Sequence, residues 1–112
     1  MPSVRREDES NEPVDSFDER VLRVVEVIPP GRVMSYGDVA EYLGEGGPRQ
    51  VGQVMSRGTG DLPWWRVIRA DGSPPPGHEA ECLAAQRAEG TPMRPDGTRA
   101  DMRRARWDGV IK

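Results

Sequence analysis

Two reactive side chains, a thiol and an imidazole, lie close together in this sequence. Cys82 is the single cysteine of the 112-residue chain, and His78, four positions earlier, is its single histidine. Residues four apart share a helical face, so this pair could generate a nucleophilic thiolate or, with the glutamates between them, hold a metal ion. No glycine elbow, second cysteine or second histidine supports either site. We therefore expect Cys82 to be a buried structural thiol, with no metal or cofactor.

A second group of side chains combines positive charge with aromatic rings. Four arginines and one acid lie between residues 49 and 69, together with the adjacent pair Trp64-Trp65. Contact with DNA phosphates needs local positive charge, even in a chain whose net charge is −3. Much of the acidity lies in the first 20 residues, which hold seven acids and three arginines. We expect residues 1–15 to be a disordered acidic tail and residues 16–112 to form one small domain.

Composition also bears on the cellular compartment. The sequence contains no apolar run of about 18 residues and no secretion-signal pattern. A lone cysteine cannot form an intramolecular disulfide and suits a reducing compartment. These features favour a cytoplasmic protein, associated with the nucleoid if the source is bacterial, with no membrane partner.

Apolar spacing and capping residues predict the helices. The first begins with Asp18 as its N-cap and ends at Pro29-Pro30-Gly31. Ser35 caps a second helix over residues 36–43, with Asp38 completing a capping box. A third covers residues 49–57 after a glycine-containing turn. Two short helices joined in this way predict a helix-turn-helix.

The second half of the chain is less regular. Val67-Ile68 predicts a short strand, and a last helix is expected over residues 79–89. Residues 91–112 show no period, and the arginines at 99–106 are interpreted as a solvated tail, with a phosphate-contacting extension as the alternative. The expected fold is mainly α, a winged helix-turn-helix-like DNA-binding domain with a short β element.

Four motifs occur in a characteristic order: Ile28-Pro29-Pro30-Gly31-Arg32-Val33, Ser35-Tyr36-Gly37-Asp38-Val39-Ala40, Arg49-Gln50-Val51-Gly52 and Pro63-Trp64-Trp65-Arg66-Val67-Ile68. In order and spacing they resemble the DNA-binding domain of the O6-alkylguanine-DNA alkyltransferases. That family reads Pro-Cys-His-Arg-Val in the last motif, and its cysteine accepts the alkyl group. Trp64 and Trp65 stand here at the cysteine and histidine positions, and indole offers neither a thiolate nor a base. The chain thus resembles the alkyltransferase-like branch, which binds alkylated DNA without repairing it.

The resemblance implies a DNA-binding and nucleotide-flipping group on the second and third helices: Tyr36, Arg49, Gln50, Gly52, Ser56 and Arg57. Tyr36 would crowd the phosphate beside the target base. Arg49 would enter the base stack in place of the extruded nucleotide, because a planar guanidinium can both stack and donate hydrogen bonds. Gly52 would let the third helix approach the minor groove closely.

The resemblance also implies a lesion pocket formed by Trp64, Trp65, Arg66, Val67 and Arg69. The indole of Trp64 would contact the flipped base. Glu89 aligns with the relay glutamate of the family and is expected to be a helix-end residue or a hydrogen-bond acceptor for Tyr36 or Trp65. Two positions depart from the family: the proline-rich segment 73–77 replaces polar or basic side chains over the flipped base, and Thr59 replaces an asparagine.

The leading interpretation is therefore a monomeric, non-enzymatic protein that recognises O6-alkylguanine in double-stranded DNA by minor-groove binding and nucleotide flipping. By resemblance, it would mark the lesion for nucleotide-excision repair proteins. Two alternatives stay open. One is an active methylated-DNA–protein-cysteine methyltransferase that uses Cys82, and the other is a helix-turn-helix transcription regulator.

Overall fold

The structure, a computed structural model, describes residues 16–111. The acidic tail predicted for residues 1–15 lies outside the described residues. The elements follow the order α1 (Phe17–Val27), β1 (Met34–Ser35), α2 (Tyr36–Leu43), α3 (Pro48–Ser56), a 3-10 turn (Trp64–Arg66), β2 (Val67–Ile68), α4 (Glu79–Ala88) and α5 (Met102–Ala105). The fold is mainly α with a short β element, as the sequence predicts.

The first helix has its N-cap two residues before the predicted one. Ser16, not Asp18, is the N-cap: its Oγ accepts from the Glu19 amide at 3.2 Å, and the Glu19 carboxylate accepts from the Ser16 amide at 3.1 Å. This reciprocal pair satisfies two of the amides that a helix start leaves without partners. Asp18 instead lies in the first turn, and its carboxylate pairs with Arg57 at 2.7 Å. The helix buries Val21, Val24 and Val25, and ends ahead of Pro29.

The second helix has the predicted cap. Ser35 Oγ accepts from the Asp38 amide, and Asp38 Oδ2 accepts from the Ser35 amide, each at 3.0 Å. Gly44 ends the helix with a φ of 75°, a conformation that costs a glycine little. The third helix starts one residue before the predicted Arg49, because Pro48 needs no amide partner in the first turn.

A two-stranded parallel sheet joins the two halves of the domain. Met34 pairs with Val67 and Ser35 with Ile68, and all four residues are buried. The predicted strand Val67-Ile68 is therefore confirmed, and its partner is the extended link ahead of α2. Since α2 begins directly after β1, and the 3-10 turn ends directly before β2, the pairing brings Tyr36 and Trp64 to the same region of the fold.

The C-terminal segment differs from the predicted solvated tail. Residues 102–105 form the short helix α5, the Val33 amide donates to the Ala105 carbonyl at 3.0 Å, and the Trp107 amide donates to the Val33 carbonyl at 2.8 Å. Trp107 is 6% exposed and belongs to the main core cluster. A lack of periodicity concealed this packing, because the segment is held by isolated backbone pairings rather than by a long helix or strand.

Candidate nucleic-acid interface

A cleft of about 580 Å³ lies between the helix pair α2–α3 and the side of the domain formed by the 3-10 turn and α4. The helix pair supplies Tyr36, Gly52, Met55 and Ser56 to its wall. The 3-10 turn and β2 supply Trp64 and Val67. The loop before α4 and the start of that helix supply Pro75, Pro76, His78 and Glu81. Gly58 and Thr59, after α3, complete the lining.

Trp64 presents a ring to this cleft. Its indole meets the His78 ring at 5.8 Å with an interplanar angle of 63°, and the Trp65 ring at 5.9 Å with an angle of 82°. Edge-to-face packing of this kind is a favourable aromatic arrangement. The Trp64 amide donates to the Leu62 carbonyl at 2.8 Å, which fixes the backbone at the start of the turn. The Trp64 ring thus packs against Trp65 and His78, while part of the ring stays accessible.

Glu89 organises the side of the turn that lies away from the cleft. Its carboxylate accepts from Trp65 Nε1 at 2.8 Å, from Arg66 Nε at 3.0 Å and from the Gly31 amide at 3.0 Å. The side chains of Arg66 and Glu89 are each only 13% exposed. Burial alone would raise the pKa of Glu89, but these hydrogen bonds, led by that from Arg66, lower it below its usual value. Of the two acceptor roles expected for Glu89, the structure contains the one with Trp65.

The Trp65 backbone is anchored as firmly as its side chain. The buried Gln86 amide of α4 donates to the Trp65 carbonyl at 3.0 Å, and Cys82 Sγ lies 3.8 Å from the same oxygen. Cys82 and Gln86 of α4, together with Glu89 at its C-cap, therefore hold the 3-10 turn in place. This anchoring determines where Trp64 can lie.

Tyr36 lies half-buried at the start of α2, on the opposite wall of the cleft. Burial raises the pKa of its hydroxyl, the neighbouring Cys82 adds to the increase, and the positive charge of Arg69 opposes it. The phenol therefore stays protonated at neutral pH and can donate a hydrogen bond.

The third helix presents the other predicted DNA contacts. Arg49 and Gln50 are exposed in its first turn. Gly52 faces open space, since a Cβ built there would meet nothing within 4 Å. Ser56 donates to the Gln53 carbonyl at 2.9 Å, and Arg57 is held by the Asp18 carboxylate. Of this group, Gly52 and Ser56 line the cleft together with Tyr36. Arg49, in the first turn of the helix, and Arg57, at its C-cap, are not among the residues that line the cleft.

Two of the five residues predicted for the lesion pocket line the cleft, and the other three do not. Trp64 and Val67 line the cleft, whereas Trp65, Arg66 and Arg69 are not among its lining residues. Trp65 and Arg66 are directed to Glu89 instead, because that buried carboxylate needs donors to compensate its charge. The motif resemblance placed the segment 73–77 next to the flipped base, and Pro75 and Pro76 of that segment line the cleft. It did not predict three other lining residues, Met55, His78 and Glu81. Only the adjacency of His78 to that segment hinted at a place in the cleft.

Cys82 has the environment of a structural thiol. It is 0% exposed, and burial raises the pKa of its thiol to about 12. The imidazole considered as its activating base contacts another group, because His78 Nδ1 lies 3.3 Å from the Glu81 carboxylate. Within residues 16–111, no group of three or more His, Cys, Asp or Glu side chains could hold a metal ion.

Comparison with known proteins shows the family to which the chain belongs. Residues 16–90 match the family model described as 6-O-methylguanine DNA methyltransferase, DNA binding domain. The DNA base-flipping protein of Escherichia coli (strain K12) is 36% identical over 110 residues, which cover 91% of this chain and 82% of that protein. Alkyltransferase-like protein 1 of Schizosaccharomyces pombe is 40% identical over 63 residues, which cover 54% of this chain and 58% of that protein.

Two solved structures have a fold similar to that of this chain. S. pombe Atl1 in complex with damaged DNA containing O6-carboxymethylguanine matches with a TM-score of 0.73 at 27% identity, over 87% of this chain and 99% of that one. The O6-methylguanine methyltransferase of Mycobacterium tuberculosis matches with a TM-score of 0.58 at 26% identity, over 78% of this chain and 56% of that one.

The fold and the cleft define a helix-turn-helix domain of the DNA-binding class. The chain belongs to the 6-O-methylguanine DNA methyltransferase family through its DNA-binding domain, and it is similar to the alkyltransferase-like members of that family. The resemblance and the fold class predicted from the motifs are both confirmed. No helix between residues 16 and 111 is long and apolar enough to cross a membrane.

Proposed function

We propose that this protein binds O6-alkylguanine in duplex DNA from the minor groove, rotates the damaged nucleotide into the cleft beside Trp64, and holds it there without transferring the alkyl group. The observation that carries the proposal is the position of Trp64. By the motif resemblance it stands at the position of the family's nucleophilic cysteine, and its indole lines the cleft opposite Tyr36.

The chemistry of the side chains supports binding without transfer. Alkyl transfer needs a thiolate within reach of the alkyl carbon, and an indole nitrogen is a donor with no available lone pair. The single cysteine is buried, and its raised pKa keeps the thiol protonated at neutral pH. By the motif resemblance Trp65 stands at the position of the activating histidine, and Glu89 accepts a hydrogen bond from its indole. This arrangement favours a sensor over a methyltransferase that uses Cys82.

The third helix supports nucleotide flipping. Arg49 is exposed in its first turn, and the open space at Gly52 leaves room for a DNA backbone to approach the helix closely. Extruding a nucleotide costs a few kcal/mol in lost stacking and pairing, and an inserted guanidinium recovers part of this cost. The E. coli and S. pombe relatives carry the names DNA base-flipping protein and alkyltransferase-like protein, which is consistent with these roles.

Absence of alkyl transfer is the first prediction. After incubation with O6-methylguanine duplex, the intact mass of the protein should be unchanged and the lesion should persist in the DNA. Electrospray mass spectrometry of the protein, with nucleoside analysis of the DNA, measures both. A gain of one methyl group, above all on a peptide containing Cys82, would restore the enzyme interpretation.

A binding titration tests the proposed specificity. Fluorescence anisotropy with duplexes that differ only in guanine or O6-methylguanine, in several sequence contexts, should show tighter binding of the lesion in every context. Preference for one sequence regardless of the lesion would instead identify a helix-turn-helix transcription regulator.

Arg49→Ala provides the second prediction. Loss of the inserted guanidinium should weaken binding to O6-methylguanine duplex by about tenfold, because the cost of opening the stack is no longer offset. The same lesion in a single strand, where no stack must be opened, should lose much less. Arg94→Ala, which removes an exposed arginine from the loop after α4, is the control for charge alone. Equal losses of affinity on the two substrates would reduce Arg49 to a phosphate contact.

Handover of the bound lesion is the remaining part of the proposal. We propose that the monomeric protein acts in the cytoplasm, associated with the nucleoid if the source is bacterial, and presents the held lesion to nucleotide-excision repair proteins. This link rests on the resemblance to alkyltransferase-like proteins. A reconstituted incision reaction on O6-methylguanine duplex, run with and without the protein, tests this link. Incision should increase when the wild-type protein is added, and it should not increase when the Trp64→Ala variant is added instead.

A further inference from the structure

The wall of the cleft has a distinctive charge character. Trp64, Met55, Pro75 and Pro76 contribute carbon surface to it. Among the described residues that line the cleft, Glu81 is the one carboxylate and there is no lysine or arginine. The wall is thus mostly apolar, with the hydroxyls of Tyr36, Ser56 and Thr59, the imidazole of His78 and a single carboxylate at the start of α4.

Neither neighbouring arginine lies in the wall, and the one basic side chain that contacts Glu81 is His78, which is charged only if protonated. The guanidinium of Arg66 is bound to Glu89 on the far side of the 3-10 turn. Arg69 is exposed and lies outside the lining, although its charge reaches Tyr36. The imidazole of His78 lies 3.3 Å from Glu81, and both side chains are largely exposed.

We propose that this cleft selects O6-alkyl adducts that are uncharged over adducts that carry a carboxylate, and that Glu81 produces part of the preference. The inference rests on the proposed function, since it names the class of lesion that the same cleft accepts. An alkyl group gains by contact with the apolar wall, whereas a carboxylate loses water without gaining a cation and is repelled by Glu81.

A relative shows why the distinction is informative. S. pombe Atl1 has been solved with DNA that contains O6-carboxymethylguanine, an adduct that ends in a carboxylate. In this chain the segment next to the cleft is Ser73-Pro74-Pro75-Pro76-Gly77, which contains no cationic side chain. We therefore expect this chain to bind an anionic adduct less tightly than a neutral one.

The test compares adducts of equal size that differ in charge. Dissociation constants are measured by anisotropy for duplexes with guanine, O6-methylguanine, O6-carboxymethylguanine and O6-carbamoylmethylguanine, the last being the uncharged amide isostere of the carboxylate. The wild-type protein should bind the amide about tenfold more tightly than the carboxylate. In Glu81→Gln the ratio should fall about threefold, as expected for a solvent-exposed charge. Glu26→Gln removes an exposed glutamate of α1, outside the cleft, and should leave the ratio unchanged.

The outcomes separate this inference from the proposed function. Equal affinity for the amide and the carboxylate would overturn the inference, while a preference for O6-methylguanine over guanine would leave the proposed function standing. Loss of that second preference would overturn the function itself. A charge preference that survives unchanged in Glu81→Gln would assign it to the apolar wall and overturn the role of Glu81.

Discussion

Replacement of Glu89 by alanine is expected to lower the free energy of unfolding by about 3 kcal/mol. This value is the lower end of the cost of breaking a buried ion pair, because the side chains of Arg66 and Glu89 each stay 13% exposed. The loss leaves the guanidinium of Arg66, the indole N–H of Trp65 and the amide of Gly31 without their shared acceptor. For a domain of this size the melting temperature should fall by roughly 15 °C. Urea denaturation followed by circular dichroism measures the change.

The pH dependence of Glu89→Gln tests the electrostatic origin of this effect. The folded pKa of Glu89 is lower than the ordinary glutamate value of about 4.3, so the stabilisation is fully present above that pH and is lost as pH falls through the folded pKa. The difference in stability between wild type and Glu89→Gln should therefore be largest near neutral pH and shrink below about pH 4. A difference that stays constant from acid to neutral pH would assign the cost to packing alone.

Replacement of Trp64 by alanine is expected to cost about 1–3 kcal/mol of binding free energy on O6-methylguanine duplex, which is the range for loss of an aromatic–base contact. Under the proposed function, binding to undamaged duplex depends on the third helix and on Arg49, and it should change much less. The ratio of the two affinities is therefore the quantity to measure, by anisotropy titration with both duplexes.

Two controls make the Trp64 experiment decisive. Tyr42→Ala removes an exposed ring that packs on Trp107 rather than in the cleft, and should leave the affinity ratio unchanged. Circular dichroism of Trp64→Ala should show an intact fold, because Glu89 and Gln86 hold the turn through Trp65 and Arg66. If Trp64→Ala weakens both duplexes equally with the fold intact, Trp64 is a structural aromatic and the damage is sensed elsewhere.

Features held by local hydrogen bonds could be predicted from the sequence. The cap of α2 is an example, since Ser35 and Asp38 are three residues apart and satisfy each other. The predicted cap of α1, Asp18, was wrong, because the N-cap is Ser16. The choice went to the serine because Glu19 lies three residues after it and completes the reciprocal pair.

The motif order identified the family and placed Tyr36 and Trp64 among the residues of the candidate site. It could not assign the side chains next to them. Trp65 was grouped with the lesion pocket because it adjoins Trp64, yet its indole turns to a carboxylate 24 positions away. Adjacent residues on a 3-10 turn point in different directions, and which one faces the cleft depends on where the distant acceptor lies.

The sequence by itself determined the family and the helix-turn-helix, because these depend on residue identity and short spacing. Its resemblance to the family motif also predicts that two indoles stand at the positions of the thiol and the imidazole. The tertiary structure decided which residues form the cleft wall. It brought Pro75, His78 and Glu81 opposite Met55 and Tyr36, buried Cys82, and packed Trp107 of the C-terminal segment into the core. These contacts join segments far apart in the chain, and the pairing of β1 with β2 sets their alignment. No local pattern encodes that alignment, since it depends on the packing of the whole domain.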